Sequence, residues 1–172
     1  MSVNSSINRA QFLRGAWKGG RQPLRPPWAL SEERFTEVCD GGGRCIEHCP
    51  ESILVRGRGG HPEIDFSRGE CSFCRECVDG CPTGALRVVD GQPPWTLQAR
   101  IGDGCIAYQG VECRSCGEYC EPQAIVFRLQ AGGVAHPRLT AADCNGCGAC
   151  VKPCPVNAIT IHHGLERIED SV

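Results

Sequence analysis

An α+β fold is what this sequence predicts, built as two tandem modules of short strands and short helices wrapped around metal ligands. Three observations carry the prediction. The chain holds 15 cysteines among 172 residues, well above ordinary usage. The cysteines fall into four groups, each followed by a proline and a short apolar strand. The four groups form two pairs, with a Gly- and Pro-containing stretch between them.

Composition narrows the chemistry. An odd cysteine count leaves one thiol over in a disulfide framework and suits metal ligation in a reducing compartment better. The first residues contain no apolar run of the roughly 7–15 residues that a secretory signal needs. No stretch approaches the ~20 apolar residues of a membrane helix. The expectation is a cytoplasmic protein without stable membrane anchoring. Only 6% of residues are aromatic, while Gly numbers 22 and Pro 12. The organic core is therefore small, and metal ligation has to supply much of the folding free energy.

The tails after the four groups justify the strands. They read CPESILV (49–55), CPTGALRVV (81–89), CEPQAIVF (120–127) and CPVNAITI (154–161). Proline beside or near the last cysteine ends a helical turn and starts an extended segment. His61-Pro62-Glu63-Ile64-Asp65-Phe66 and His136-Pro137-Arg138-Leu139-Thr140 each follow a Gly-Gly pair, as a turn entering a short strand would. Asp90–Trp95 is a linker candidate. The resulting division is an arm at residues 1–30, a first module at 31–91, a linker at 92–100, a second module at 101–163 and a polar tail at 164–172.

The cysteine spacing carries the site chemistry. Cys71, Cys74, Cys77 and Cys81, like Cys144, Cys147, Cys150 and Cys154, follow C-x2-C-x2-C-x3-C-P, the run of bacterial two-cluster ferredoxins. Two-residue gaps let three thiolates wrap one cube, and the fourth cysteine ligates the neighbouring cluster. Zinc sites use two separated pairs instead. The third group, Cys105, Cys113, Cys116 and Cys120, stretches its first gap to seven residues; Tyr108 and Val111 in that loop are expected to cover a cluster. The first group has Cys39, Cys45 and Cys49, with Gly42 where a cysteine belongs.

Crossing the fourth cysteines gives four sets. Set I is Cys39, Cys45 and Cys81; set II is Cys71, Cys74, Cys77 and Cys49. Set III is Cys105, Cys113, Cys116 and Cys154; set IV is Cys144, Cys147, Cys150 and Cys120. The expected cofactors are three to four [4Fe-4S] clusters. Set I is compatible with a [3Fe-4S] cluster, with a four-iron cluster whose open iron takes water or a neighbour such as Asp40, or with no cluster. His48 is a minor candidate ligand.

No nucleophile–base pair is recognisable, and Gly41-Gly42-Gly43 lacks the Gly-Lys-Ser/Thr of a phosphate loop. The chain is expected not to be an enzyme, and nucleic acid is not expected as a partner. Before Glu32 stand five basic residues and no acid, which leaves 13 basic and 20 acidic side chains, a net of −7, for the rest. Phe12, Leu13, Ala16 and Trp17 share one face of a possible short helix, flanked by Arg9 and Arg14. Arg9, Phe12, Leu13, Arg14 and Trp17 are thus candidate partner-binding residues.

Arm and cysteine map together resemble the NapF-type ferredoxins. The resemblance spans nearly the whole chain. It rests on RAQFLRG (9–15), RPPW (25–28), GECSFCRECVDGCP (69–82), IGDGCIAYQGVECRSCGEYCEP (101–122) and LTAADCNGCGACVKPCPVNAIT (139–160). The stretched third group is the most discriminating segment. Gly42 departs from a family pattern with four cysteines in the first group. The resemblance implies a cytoplasmic accessory protein with four [4Fe-4S] clusters. It also implies a partner, the unexported catalytic subunit of the periplasmic nitrate reductase system, whose iron–sulfur cluster it would help load or poise. The alternative is an electron carrier between a cytoplasmic donor and an oxidoreductase.

Overall fold

A computed structural model of the chain describes residues 22–164. The arm residues Arg9, Phe12, Leu13, Arg14 and Trp17 lie outside the described residues. The helices are short: α1 (Glu32–Val38), α2 (Arg44–Glu47), α3 (Glu76–Asp79) and α4 (Ser115–Glu118). The strands are β1 (Leu54–Arg56), β2 (Pro62–Ile64), β3 (Leu97–Ile101), β4 (Ile125–Arg128), β5 (His136–Leu139) and β6 (Ile159–His163). They pair antiparallel as β1–β2, β4–β5 and β3–β6.

Every tail after a cysteine group turns in the same way. The third residue past the last cysteine has a left-handed backbone in all four: Ser52, Gly84, Gln123 and Asn157. In three of them its N–H donates to the cysteine carbonyl at 2.9–3.2 Å (Ser52–Cys49, Gln123–Cys120, Asn157–Cys154). Proline supplies the fixed φ of the turn, and the chain leaves it extended. In the first and third tails the outgoing strand is β1 or β4, closed by β2 or β5 into a hairpin, in the register Leu54↔Ile64 and Ile125↔Leu139. The fourth tail is β6, which returns to β3.

The second tail has a counterpart partner, and it changes the expected boundaries. Leu30 N–H donates to Ala85 O and Arg87 N–H to Trp28 O, around an isolated bridge between Ala29 and Leu86. Residues 28–30 therefore take the place in the first module that β3 takes in the second. Leu24, Pro26 and Trp28 are buried. The stretch 22–30, assigned to the arm from sequence, packs with the first module, because its prolines and Trp28 are apolar surface that the small core takes up. The expected linker at 92–100 likewise contains β3 from Leu97 onward, held by a partner some 60 residues away.

Arg25 anchors this segment. Its guanidinium makes a two-point contact with Glu32 at 2.6 and 2.8 Å, donates to Pro62 O at 3.0 Å and lies 5.0 Å over the Phe35 ring. Phe35 is fully buried, as are Ile53 and the prolines 26, 62 and 137. Among the described residues no polar or charged residue is classed as buried. The core is one cluster of apolar side chains in which the buried cysteines form part of the wall.

The modules touch through aromatic side chains. Trp95 stacks edge-on with Phe66 (6.1 Å) and Phe73 (5.4 Å), and Phe73 with Trp28 (6.5 Å). Trp95 Nε1 donates to Asn145 O at 2.8 Å. Gly148 lies under the Phe66 ring, so close that an added Cβ would fall 2.0 Å from it. Arg25→Ala is expected to destabilise the fold by about 2–3 kcal/mol, the loss of a half-shielded charged pair with its hydrogen bonds. A lower urea midpoint of the far-UV signal checks this; coincident midpoints would mean the pair anchors nothing.

Candidate metal centre

Three of the four loops between cysteines share one backbone, and the stretched third loop departs from it. In the second and fourth groups the residues just before the second cysteine and two before the third have positive φ: Phe73 (54°) and Arg75 (71°), Gly146 (73°) and Gly148 (83°). Phe and Arg rarely adopt this region, so the fold imposes it. The first group repeats it with Gly41 (68°) and Gly43 (83°), although Gly42 has replaced the second cysteine. Asp40 Oδ1 accepts from Gly42 N–H at 2.8 Å, and Asn145 Oδ1 accepts from Cys147 N–H at 3.1 Å. The first loop therefore has the shape of a complete cysteine loop with one thiol missing.

Three cavities open between the tails and loops. The first is lined by Cys105, Cys113, Cys116 and Cys154. Cys120, Cys144, Cys147 and Cys150 line the second, and Cys49, Cys71, Cys74 and Cys77 the third. These are the residues grouped as sets III, IV and II. In set I, the charges of Cys39 and Cys81 act on Cys45, whose thiol burial chiefly raises. His48, the minor candidate, is exposed, with its ring against Gly80.

Ile106 lines the set III cavity, whereas Tyr108 and Val111, expected to cover it, do not. The stretched loop forms a 3₁₀ turn at Ile106–Gln109. Tyr108 instead donates its hydroxyl to Pro137 O at 3.2 Å and tethers the loop to β5. Val111 is exposed. The side-chain order of a 3₁₀ turn, three residues per cycle, puts Ile106 inward; a bare count of loop residues does not show this.

The cysteine at the third ligand position of each group is the deep one: Cys45, Cys77, Cys116 and Cys150 are all buried. Burial, with repulsion from neighbouring thiolates, pushes their thiols up to about 11, 12, 11 and 12. Cys71 is pushed up to about 11, again chiefly by burial. As free thiols these groups are protonated at neutral pH, so a metal must displace protons and its positive charge must replace the lost hydration. Cys81 behaves oppositely. Burial raises it, but hydrogen bonds from the Leu86 N–H, the Thr83 hydroxyl and the Thr83 and Ala85 N–H groups together hold it below the usual thiol value. N–H groups also point at sulfur in the second module, from Ala99 to Cys144 (3.4 Å) and from Ala158 to Cys154 (3.2 Å).

Among the described residues no group of three or more His, Cys, Asp or Glu side chains closes around a single metal ion. Tetrahedral zinc with bonds of about 2.3 Å would draw four thiolates to about 3.8 Å from one another. The C-x2-C-x2-C-x3-C-P spacing of the second and fourth groups, with four thiols lining each cavity, suits a polynuclear body with sulfur and iron at its corners. The donor set fits iron–sulfur clusters.

The 4Fe-4S dicluster domain family matches residues 38–85 and 110–159. Ferredoxin-type protein NapF of Escherichia coli is 43% identical over 163 residues, covering 95% of this chain and 98% of that protein. Its namesake in Haemophilus influenzae is 41% identical over 167 residues, with 91% and 94% covered. Ferredoxin-type protein NapG of Escherichia coli is 30% identical over 154 residues, covering 76% of this chain and 65% of NapG. No helix among the described residues is long and apolar enough to cross a membrane.

Cys150→Ala is expected to lower iron by about four atoms per chain, one cluster's complement, while Tyr108→Phe leaves iron content unchanged. Iron and acid-labile sulfide assays on anaerobically purified protein check both. Equal iron in Cys150→Ala and the parent would remove Cys150 from the ligand set.

Proposed function

The chain belongs to the NapF family of ferredoxin-type proteins, and from this premise we propose that its four cysteine sets hold iron–sulfur clusters used to mature a partner enzyme. By family resemblance the partner is the catalytic subunit of the periplasmic nitrate reductase, met in the cytoplasm before export. The clusters of sets II, III and IV are [4Fe-4S], each with four thiolates. Set I is built rather than vestigial and carries a cluster with one iron corner free of protein thiolate.

One observation carries this reading. The loop from Cys39 to Cys45 keeps the two left-handed residues and the side-chain turn of the complete loops, yet offers Gly42 at the second ligand position. A chain that had abandoned this site would have no reason to keep Gly41 and Gly43 in those conformations. The Asp40 carboxylate does not replace the thiolate. It is turned onto the Gly42 N–H, as Asn145 is onto the N–H of Cys147, which has its own thiol. A corner without a protein ligand suits an iron that is handed over or taken up. In the alternative reading the same clusters only carry electrons, which the continuity of the four sets favours.

Gly42→Cys is sterically admissible: an added Cβ meets only the exposed Asp40 carboxylate, at 3.1–3.4 Å. The parent is expected to contain about 15–16 irons per chain and to show a three-iron EPR signal when oxidised, which Gly42→Cys loses as it reaches about 16. Identical spectra from the two proteins would discard the open corner. The maturation role is tested on the partner. Its precursor, purified from cells lacking this protein, should be deficient in iron relative to precursor from complemented cells. A fully loaded precursor accompanied by failed nitrate reduction would favour the electron-carrier alternative.

A further inference from the structure

Chain order runs through sets I, II, III and IV, but spatial order differs. Within each module one helical turn serves two sets. Cys45 of set I and Cys49 of set II lie four residues apart through α2, as do Cys77 of set II and Cys81 of set I through α3. In the second module Cys116 of set III and Cys120 of set IV are joined through α4, and Cys150 of set IV and Cys154 of set III by the turn 148–154. Residues at that spacing on a helical turn are about 5–6 Å apart at Cβ. Sets I and II are thus neighbours, and so are III and IV.

The contact between modules then decides the order. Cys71 N–H of set II donates to Cys147 O of set IV at 2.8 Å. Around this bond Gly148 sits under Phe66, Lys152 Nζ donates to Arg68 O at 3.1 Å, and Trp95 reaches Asn145 O. The loop of set II lies directly on the loop of set IV. The electrostatics agree: Cys71, raised mainly by burial, also feels Cys147; Cys77 feels Cys45; and Cys150 feels Cys116.

We propose that the four sets form one relay in the spatial order I, II, IV, III, crossing between modules at the Cys71–Cys147 hydrogen bond. This rests on the reading above that the sets hold clusters. Sets I and III are its ends, and the incomplete set I is terminal. With clusters held by these sets, each hop would move one electron, oxidising one cluster by one unit and reducing its neighbour by one, with no bond broken and no proton moved. The electron enters from a low-potential one-electron donor, another iron–sulfur protein or a reduced flavin, and leaves to an acceptor at the opposite end.

The test uses EPR on full-length, dithionite-reduced protein, where adjacent reduced clusters split and broaden each other's signals. Cys45→Ala removes a ligand from set I and is expected to retain about 12 irons, the complement of three clusters. In the relay, set II stays coupled to set IV, so no isolated, unsplit cluster signal appears. An unsplit set II signal beside a coupled III–IV pair would overturn the order. A second variant, Trp95→Ala, removes the indole that joins Phe66 and Phe73 to the Asn145 carbonyl beside the Cys71–Cys147 bond. It should keep the parent's iron and lose the coupling between II and IV; coupling unchanged with parental iron would overturn the crossing at Cys71–Cys147. Iron near zero in the parent protein would instead overturn the cluster reading on which the relay rests.

Discussion

The short turns at Cys45–Cys49, Cys77–Cys81, Cys116–Cys120 and Cys150–Cys154 each place two thiols four residues apart, one for each of two neighbouring sets in the proposed grouping, and the rest of the architecture follows from that sharing. The turns are short because proline stands next to the last cysteine, or one residue beyond it in Cys120-Glu121-Pro122, and cannot continue the helix. Three of them begin after a left-handed residue (Gly43, Arg75 and Gly148), where the loop has to turn its ligand positions inward within a few residues; Arg114, ahead of the fourth, is not left-handed. The strands are what remains: brief extended exits from the Cys-Pro turns, closed into pairs by the nearest complementary segment. Three two-stranded sheets would not hold a chain of this length on their own. The cysteines join them.

Burial makes the arrangement conditional on metal. The deep cysteines sit among apolar walls with their thiols raised toward 11 or 12, and four thiolates crowded in one cavity repel. Bound iron reverses both effects at once. The N–H groups aimed at Cys81, Cys144 and Cys154 belong to the same design, since hydrogen bonds to sulfur stabilise negative charge there and raise a cluster's reduction potential. Cys81, which such bonds hold below the usual thiol value, belongs in the proposed grouping to the set that lacks a ligand.

Two functional ideas meet at set I. As an incomplete set at one end of the proposed relay, it would be placed both to exchange iron and to pass electrons onward through set II. Loading a partner's cluster requires iron, and reducing it requires electrons. A family accessory protein that combined an open corner with a continuous line of clusters could supply either from one surface. The Cys39–Cys45 loop and the Cys71–Cys147 contact are separate features, so the two roles can be separated by substitution.

Much of the candidate site was legible in the sequence, because C-x2-C-x2-C-x3-C-P is itself a statement about geometry: two-residue gaps and a following proline leave little choice about which thiols face one another. The hairpins were legible for the same local reason, from Gly-Gly turns leading into His61–Phe66 and His136–Thr140. What only the tertiary structure decided is everything that depends on distant partners. Residues 28–30 read as the end of a basic arm until Leu86 is seen beside Ala29. Residues 97–100 read as linker until β6 arrives from some 60 residues on. Ile106 rather than Tyr108 faces the set III cavity because a 3₁₀ turn, not a simple loop, fills the stretched gap. Above all, the adjacency of sets II and IV is invisible in a chain that places set III between them. It is determined by Trp95 bridging the modules and by a glycine at 148 that lets Phe66 come close, packing relations that no local spacing encodes.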